Sequence, residues 1–79
     1  MVWQDFIEQR ADVMTGKPVF KGTRLTVETV LQRLGEGWSH AEVLEAFPRL
    51  KEEHIKAAFA FAAAALSSEE TILVPEHAQ

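Results

Sequence analysis

Three histidines and a set of glutamates are the residues of this sequence that could support catalysis or metal binding. His40, His54 and His77 lie on three separate segments, and none forms a His-x-x-x-His or Glu-x-x-His pair with a further ligand. The adjacent pairs Glu52-Glu53 and Glu69-Glu70 do not face each other on a helix. There is no cysteine. We therefore expect solvated histidines and carboxylates, no metal or cofactor, and a protein that is not an enzyme.

Basic side chains offer a second kind of chemistry, which is the binding of nucleic-acid phosphate. The chain has a net charge of −4, yet residues 17–33 carry a net charge of +3 around its Gly/Pro-rich loop. Lysine and arginine pair with phosphates, and arginine can also read guanine. A further basic pair lies near the start of the last predicted helix. The candidate DNA-contacting residues are Lys17, Lys21, Arg24, Arg49 and Lys51.

Two plainer interpretations of the same loop stay open. Arg24 can be a loop anchor whose guanidinium bonds to backbone carbonyls or to a local carboxylate. Lys17 and Lys21 can simply be exposed to solvent, which is the usual state of surface lysines. Glu52 and Glu53 also argue against the start of the third helix as a recognition surface, because they repel phosphate.

Three helices with local start and stop signals position these residues. Thr26 can cap the first helix, which ends at Gly35 or Gly37. Ser39 and Glu42 match a capping box for the second, a helix of roughly nine residues that Pro48 terminates. The third begins near Leu50 or Lys51 and runs to about Leu66. Residues 16–27 before them predict a loop or small hairpin.

The third predicted helix is apolar around most of its circumference. Its buried stripe is predicted as Ile55, Phe59, Ala62 and Leu66, widened by Ala58 and Phe61. A chain of 79 residues has little else to cover such a surface. We expect a homodimer or partner interface there, with the core helix of a monomer as the alternative. The candidate interface residues are Ala58, Phe59, Phe61, Ala62 and Leu66.

This order of elements predicts a mainly all-α fold. We expect a tri-helical helix-turn-helix or homeodomain-like bundle with a short N-terminal extended loop or hairpin. We expect residues 1–79 to form a single domain with its core at about 16–67, a lead-in at 1–15 and a tail at 68–79. Residues 71–74 could form a short strand. Since the longest apolar run is far shorter than a membrane span and no signal peptide is visible, we expect a cytoplasmic protein without membrane contact.

The most distinctive segment of the sequence surrounds the basic loop. It reads Gly16-Lys17-Pro18-Val19-Phe20-Lys21-Gly22-Thr23-Arg24-Leu25-Thr26-Val27. Downstream follow Gly37-Trp38-Ser39, Glu42-Val43-Leu44, Phe47-Pro48-Arg49-Leu50, Ile55 and an alanine-rich helix. In this order, over roughly residues 6–66, the sequence resembles a bacterial and archaeal family of domains of unknown function, number 433.

The resemblance implies a homeodomain-like fold, usually dimeric, and the role of antitoxin in a type II toxin–antitoxin pair. The toxin it implies is a PIN-like ribonuclease, which the antitoxin blocks by direct contact while binding its own promoter DNA. The sequence departs from the family at Lys51, where members tend to have Thr or Ser as the cap of the third helix. Lysine cannot accept a backbone N–H, so we expect this helix start to fray or to cap one residue away.

The alternative function is a dimeric protein-interaction module that uses the helix-turn-helix only as a scaffold and binds no DNA. In that case the acidic C-terminal half would dock a basic partner such as the rim of a nuclease active site. Its candidate residues are Glu42, Glu45, Glu52 and Glu53.

Overall fold

A computed structural model describes residues 2–67 of the chain. They form a mainly helical structure with a small two-stranded sheet. The helices are α1 (Val27–Gly35), α2 (His40–Ala46) and α3 (Glu52–Ser67), and the strands are β1 (Ile7–Glu8) and β2 (Val19–Phe20). Short 3₁₀ turns cover Trp3–Asp5 and Met14–Gly16. The predictions for residues 68–79, including His77, Glu69-Glu70 and the strand at 71–74, fall outside the described residues.

The two strands join the N-terminal segment to the core. β1 runs antiparallel to β2, with Ile7 opposite Phe20 and Glu8 opposite Val19. Ile7 is only 4% exposed and Phe20 is fully buried. The core therefore includes Ile7, which lies before residue 16, where the predicted core begins. Val19 and Phe20 require a pairing partner because a buried strand cannot leave its backbone groups unpaired.

Helix α1 begins and ends at the residues that the sequence indicates. The Thr26 hydroxyl accepts a hydrogen bond from the Thr29 N–H at 3.1 Å. Beyond the helix, Gly37 adopts a φ of +102°, and the Trp38 N–H donates back to the Arg33 carbonyl at 3.1 Å. This is the Schellman arrangement, in which a residue of positive φ lets the last carbonyls of the helix find donors.

Helix α2 is held by a capping box and is followed by proline. The Glu42 N–H donates to the Ser39 hydroxyl at 3.1 Å, and the Ser39 N–H donates to the Glu42 carboxylate at 2.7 Å. The helix ends at Ala46, before Pro48, and is two residues shorter than the nine predicted. Val43 is its fully buried residue.

Helix α3 packs on the core through small side chains. Ile55, Ala57 and Ala58 are fully buried, whereas Phe59 is 47% and Leu66 is 58% exposed. The predicted stripe is therefore confirmed for Ile55 and Ala58 and wrong for Phe59 and Leu66, because Ala57 faces the core in their place. Small alanines allow close approach of the backbone to the core, which turns the bulkier residues outward.

The core is completed by residues from all three helices and both strands. Its fully or nearly buried members are Ile7, Phe20, Val27, Val30, Val43, Leu50, Ile55, Ala57 and Ala58. The Trp3 ring meets the Phe61 ring edge-on, with centroids 5.0 Å apart, so the first 3₁₀ turn covers the far part of α3. Within residues 2–67, no helix has the length and apolar character needed to cross a membrane.

Candidate nucleic-acid interface

Arg24 and Arg49 come together on one side of the molecule. Both line an apolar cavity of about 280 Å³ and a neighbouring polar cavity of about 330 Å³. Thr23 lines both cavities with them. The structure thereby joins a residue of the N-terminal loop with a residue of the α2–α3 turn. We call this surface the arginine ridge, defined by Arg24 and Arg49.

A tight turn holds Arg24 in place on its side of the ridge. The Phe20 N–H donates to the Leu25 carbonyl at 3.1 Å, and the Thr23 hydroxyl donates to the Phe20 carbonyl at 2.8 Å. Gly22 has a φ of +77°, a conformation that other residues rarely adopt, which explains the glycine at this position. Since the local hydrogen bonds are made by the backbone and by Thr23, the Arg24 side chain is left exposed.

Arg49 is positioned by the connection between α2 and α3. The Leu50 N–H donates to the Phe47 carbonyl at 2.9 Å, which closes a turn over Pro48 and Arg49. The Leu50 side chain is 4% exposed and anchors this turn in the core. Arg49 itself points to the surface.

Neither guanidinium of the arginine ridge is engaged by the rest of the described chain. Within residues 2–67, Arg24 and Arg49 form no side-chain hydrogen bond and no ion pair. The interpretation of Arg24 as a loop anchor bonded to carbonyls or a carboxylate is therefore wrong for this part of the chain. An exposed arginine pair without a carboxylate partner keeps its full set of donors for a phosphate or carboxylate ligand.

Arg10 is a further basic residue of this surface, and no motif or spacing in the sequence singles it out. It lines the polar cavity beside Arg24 and Arg49, together with Glu8. Its guanidinium pairs with the Asp12 carboxylate at 3.1 Å, and both side chains are more than half exposed. Such exposed pairs contribute little to stability, so Arg10 remains exchangeable toward an outside anion.

The three lysines predicted to contact DNA do not line the cavities of the arginine ridge. Lys17 pairs with Glu28 at 3.2 Å and lines another cavity with residues of the α1 start, so the structure separates it from Arg24. Lys21 precedes Gly22 of the polar cavity and is exposed. Lys51 is exposed at the start of α3. Lys21 and Lys51 line neither cavity of the arginine ridge.

Two histidines were predicted to be solvated, and the structure gives each of them contacts. His40 is exposed, and its Nδ1 atom lies 2.6 Å from the Glu52 carboxylate, which ties the start of α2 to the start of α3. His54 is half-buried, with its ring edge-on to Phe6 at 5.3 Å and to Phe20 at 5.7 Å. The prediction is wrong for His54, because the α3 start packs against the sheet.

Two of the four glutamates predicted to dock a basic partner already form contacts within the chain. Glu42 accepts in the capping box and Glu52 contacts His40, while Glu45 and Glu53 are exposed. Within residues 2–67, no group of three or more His, Cys, Asp or Glu side chains is placed to hold a metal ion.

The predicted interface residues divide between core and surface. Ala58 is fully buried and offers no area to a partner, and Phe61 is half-buried against Trp3. Phe61, Ala62 and Leu66 line a groove of about 560 Å³ between α1 and α3. Phe59 lies outside this groove, with its ring 6.2 Å from that of His40.

Comparison with known proteins places the chain in a family. A family model described as "Protein of unknown function (DUF433)" matches residues 7–62. This match covers more than half of the chain, and the protein therefore belongs to the DUF433 family. Neither the curated proteins nor the solved structures gave a significant match.

Proposed function

We propose that this protein is the antitoxin of a type II toxin–antitoxin pair, that it contacts the DNA of its own promoter through the arginine ridge, and that it binds a PIN-like ribonuclease. The observation that carries the DNA part is the convergence of Arg24 and Arg49, which are free of ion pairs within residues 2–67. Phosphate contacts of this kind position a protein on DNA and supply most of its electrostatic affinity.

The order of α2, the 47–51 turn and α3 is compatible with a helix-turn-helix. In that arrangement α3 is the recognition helix. Its N-terminal end enters the major groove, and the residues before it approach the phosphates. Arg49 and Lys51 are the basic residues immediately before α3. Glu52 contacts His40 at the start of α2 instead of projecting freely from the start of α3.

The antitoxin role comes from the family that the sequence resembles, and the arginine ridge adds a surface on which it can be tested. The chain is to be co-expressed with the products of its neighbouring genes and purified by a tag. We expect a stoichiometric ribonuclease to co-purify and the complex to retard promoter DNA in a gel. A chain that purifies without any partner and leaves the promoter unshifted at low salt overturns the proposal.

Two double variants that remove the same charge distinguish a DNA contact at the arginine ridge from general electrostatic attraction. Arg24→Gln with Arg49→Gln removes the ridge, and Lys17→Gln with Lys21→Gln is the matched control, because it removes the same charge outside the ridge cavities. The ridge variant is expected to lose about tenfold or more in DNA affinity at moderate salt. Equal losses in both variants would point to non-specific attraction.

A second candidate function is a dimeric protein-interaction module that binds no DNA. The groove between α1 and α3 favours it, because Val27, Leu31 and Leu66 give this groove apolar walls. A homodimer or a partner helix could bury that surface. Sedimentation of the wild type and of Leu66→Lys distinguishes this candidate, since the lysine leaves the arginine ridge intact and is expected to release only the protein contact.

A further inference from the structure

The cavity of about 280 Å³ beside the arginine ridge has an apolar lining that phosphate binding does not use. Its lining includes the apolar residues Leu25, Ala46, Phe47 and Pro48, together with Thr23 and the two arginines. A DNA backbone presents charge and sugar but no large apolar group to fill such a space. The cavity and the guanidinium pair therefore form a two-part surface, half apolar and half cationic.

We propose that this surface is a docking site for an acidic segment of a partner polypeptide. One large apolar side chain of that segment enters the cavity, and carboxylates on either side of it pair with Arg24 and Arg49. The inference goes beyond the proposed function and does not depend on it, because the chain could hold such a segment without binding any DNA.

Charge complementarity identifies the partner as acidic. Three arginines surround the two adjoining cavities, and Glu8 is the acidic residue among those that line them. Arg24 and Arg49 have no carboxylate partner within residues 2–67. Arginine pairs carboxylates in a bidentate manner, so two free guanidinium groups select a segment with at least two acids.

The size of the cavity fits a single large side chain as the anchor. Its volume is about 280 Å³, just below the range of about 300–1,000 Å³ that suits drug-sized ligands. Apolar anchors with surrounding charged contacts are the common pattern of a protein-interface hot spot. Phe47 and Pro48 belong to a turn closed by the hydrogen bond from the Leu50 N–H to the Phe47 carbonyl, and the cavity is present in the chain without a partner.

One consequence concerns the DNA contact. Carboxylates and phosphates compete for the same two guanidinium groups, because both are anions that accept hydrogen bonds from arginine. A bound acidic segment is therefore expected to displace DNA from this chain, so that occupancy of the cavity regulates the arginine ridge.

The test uses the full chain and two synthetic peptides of equal charge. The first has the sequence Gly-Asp-Asp-Phe-Asp-Asp-Gly, and the second carries Ala in place of Phe. Binding is followed by amide chemical-shift titration. We expect the Phe peptide to bind about tenfold more tightly than the Ala peptide, which is the effect of burying one aromatic side chain. The shifts should centre on Thr23, Leu25 and Phe47.

Two protein variants test the apolar half and the cationic half of the surface separately. Ala46→Phe fills the cavity without changing charge and is expected to bring the two peptides to equal affinity. Arg24→Gln with Arg49→Gln is expected to weaken both peptides by about tenfold, whereas Lys17→Gln, a cation outside the cavity, leaves both unchanged. Equal affinity of the two peptides for the wild-type chain, a measurement that needs no variant to fold, overturns the proposal. So does a peptide preference that survives Ala46→Phe in a variant that melts like the wild type.

Discussion

The Nδ1 atom of His54 accepts a hydrogen bond from the backbone N–H of Lys51 at 2.9 Å. Lys51 stands just before α3, at a position where a short polar side chain usually caps the helix. Its own side chain has no acceptor, so the histidine three residues further on provides one half of a capping box. The start of α3, which leads directly from the arginine ridge, is thereby fixed by a side chain that also packs on Phe6 and Phe20.

Removing the His54 side chain is expected to destabilise the fold. His54→Ala loses the acceptor for the Lys51 N–H and both ring contacts, and we expect the free energy of unfolding to fall by about 2 kcal/mol. His54→Phe keeps a ring but no acceptor and should lose about 1 kcal/mol. Urea denaturation measures both. An unchanged midpoint for His54→Ala would show that this contact does not hold the helix start.

Supplying a cap at Lys51 is expected to have the opposite effect. In Lys51→Ser the new hydroxyl can accept one of the free N–H groups in the first turn of α3, which should raise the free energy of unfolding by about 0.5–1 kcal/mol. Lys56→Ser removes the same charge within the helix and should lower stability by a few tenths of a kcal/mol, because serine is a poorer helix former than lysine. A shift of the melting temperature in the same direction for both substitutions would contradict a capping role of residue 51.

Alanine substitutions at Gly35 and Gly37 are expected to change the free energy of unfolding in opposite directions. Gly37 has a φ of +102°, so Gly37→Ala should cost about 1 kcal/mol or more in unfolding free energy. Gly35 is the last helical residue of α1, and a Cβ there meets nothing within 4 Å. Gly35→Ala should therefore stabilise by about 0.5–1 kcal/mol. Thermal melts of the two variants test this pair, and a stabilised Gly37→Ala would contradict the helix ending described above.

The two faces of α3 are expected to tolerate bulk differently. Ala58 is fully buried, and Ala58→Leu should lower the free energy of unfolding by about 1–3 kcal/mol through overpacking. Ala63 is exposed, and Ala63→Leu should change it by less than about 0.5 kcal/mol. Chemical denaturation of both variants gives the comparison. Equal tolerance would mean that α3 is rotated relative to the orientation in the structure.

The helix limits could be predicted from the sequence because capping acts locally. Thr26, the Ser39–Glu42 pair and Pro48 each act on backbone groups within a few residues, so their types and spacing carry the information. The residues of α3 that face the core, apart from Ile55 and Ala58, could not be predicted in this way. Apolar residues occur around most of the circumference of this helix, and such a pattern does not indicate which side faces the core.

The candidate site was predictable only in part. Arg24 and Arg49 were both candidates by residue type, but their meeting depends on how the 20–25 turn packs beside the α2–α3 turn, which no local pattern encodes. Lys17 was grouped with Arg24 because both belong to the same loop. The structure instead pairs Lys17 with Glu28, since the chain between Lys17 and Arg24 forms β2 and a tight turn.

The proposed contact between the arginine ridge and DNA is tested most directly by the salt dependence of promoter binding. This dependence is compared between the wild type and the double variant Arg24→Gln with Arg49→Gln. If both arginines contact phosphate, the slope of log affinity against log salt concentration should decrease in magnitude by about one for each arginine removed. The control Lys17→Gln with Lys21→Gln should keep a slope closer to that of the wild type. A ridge variant whose affinity and slope equal those of the wild type would show that Arg24 and Arg49 do not contact DNA.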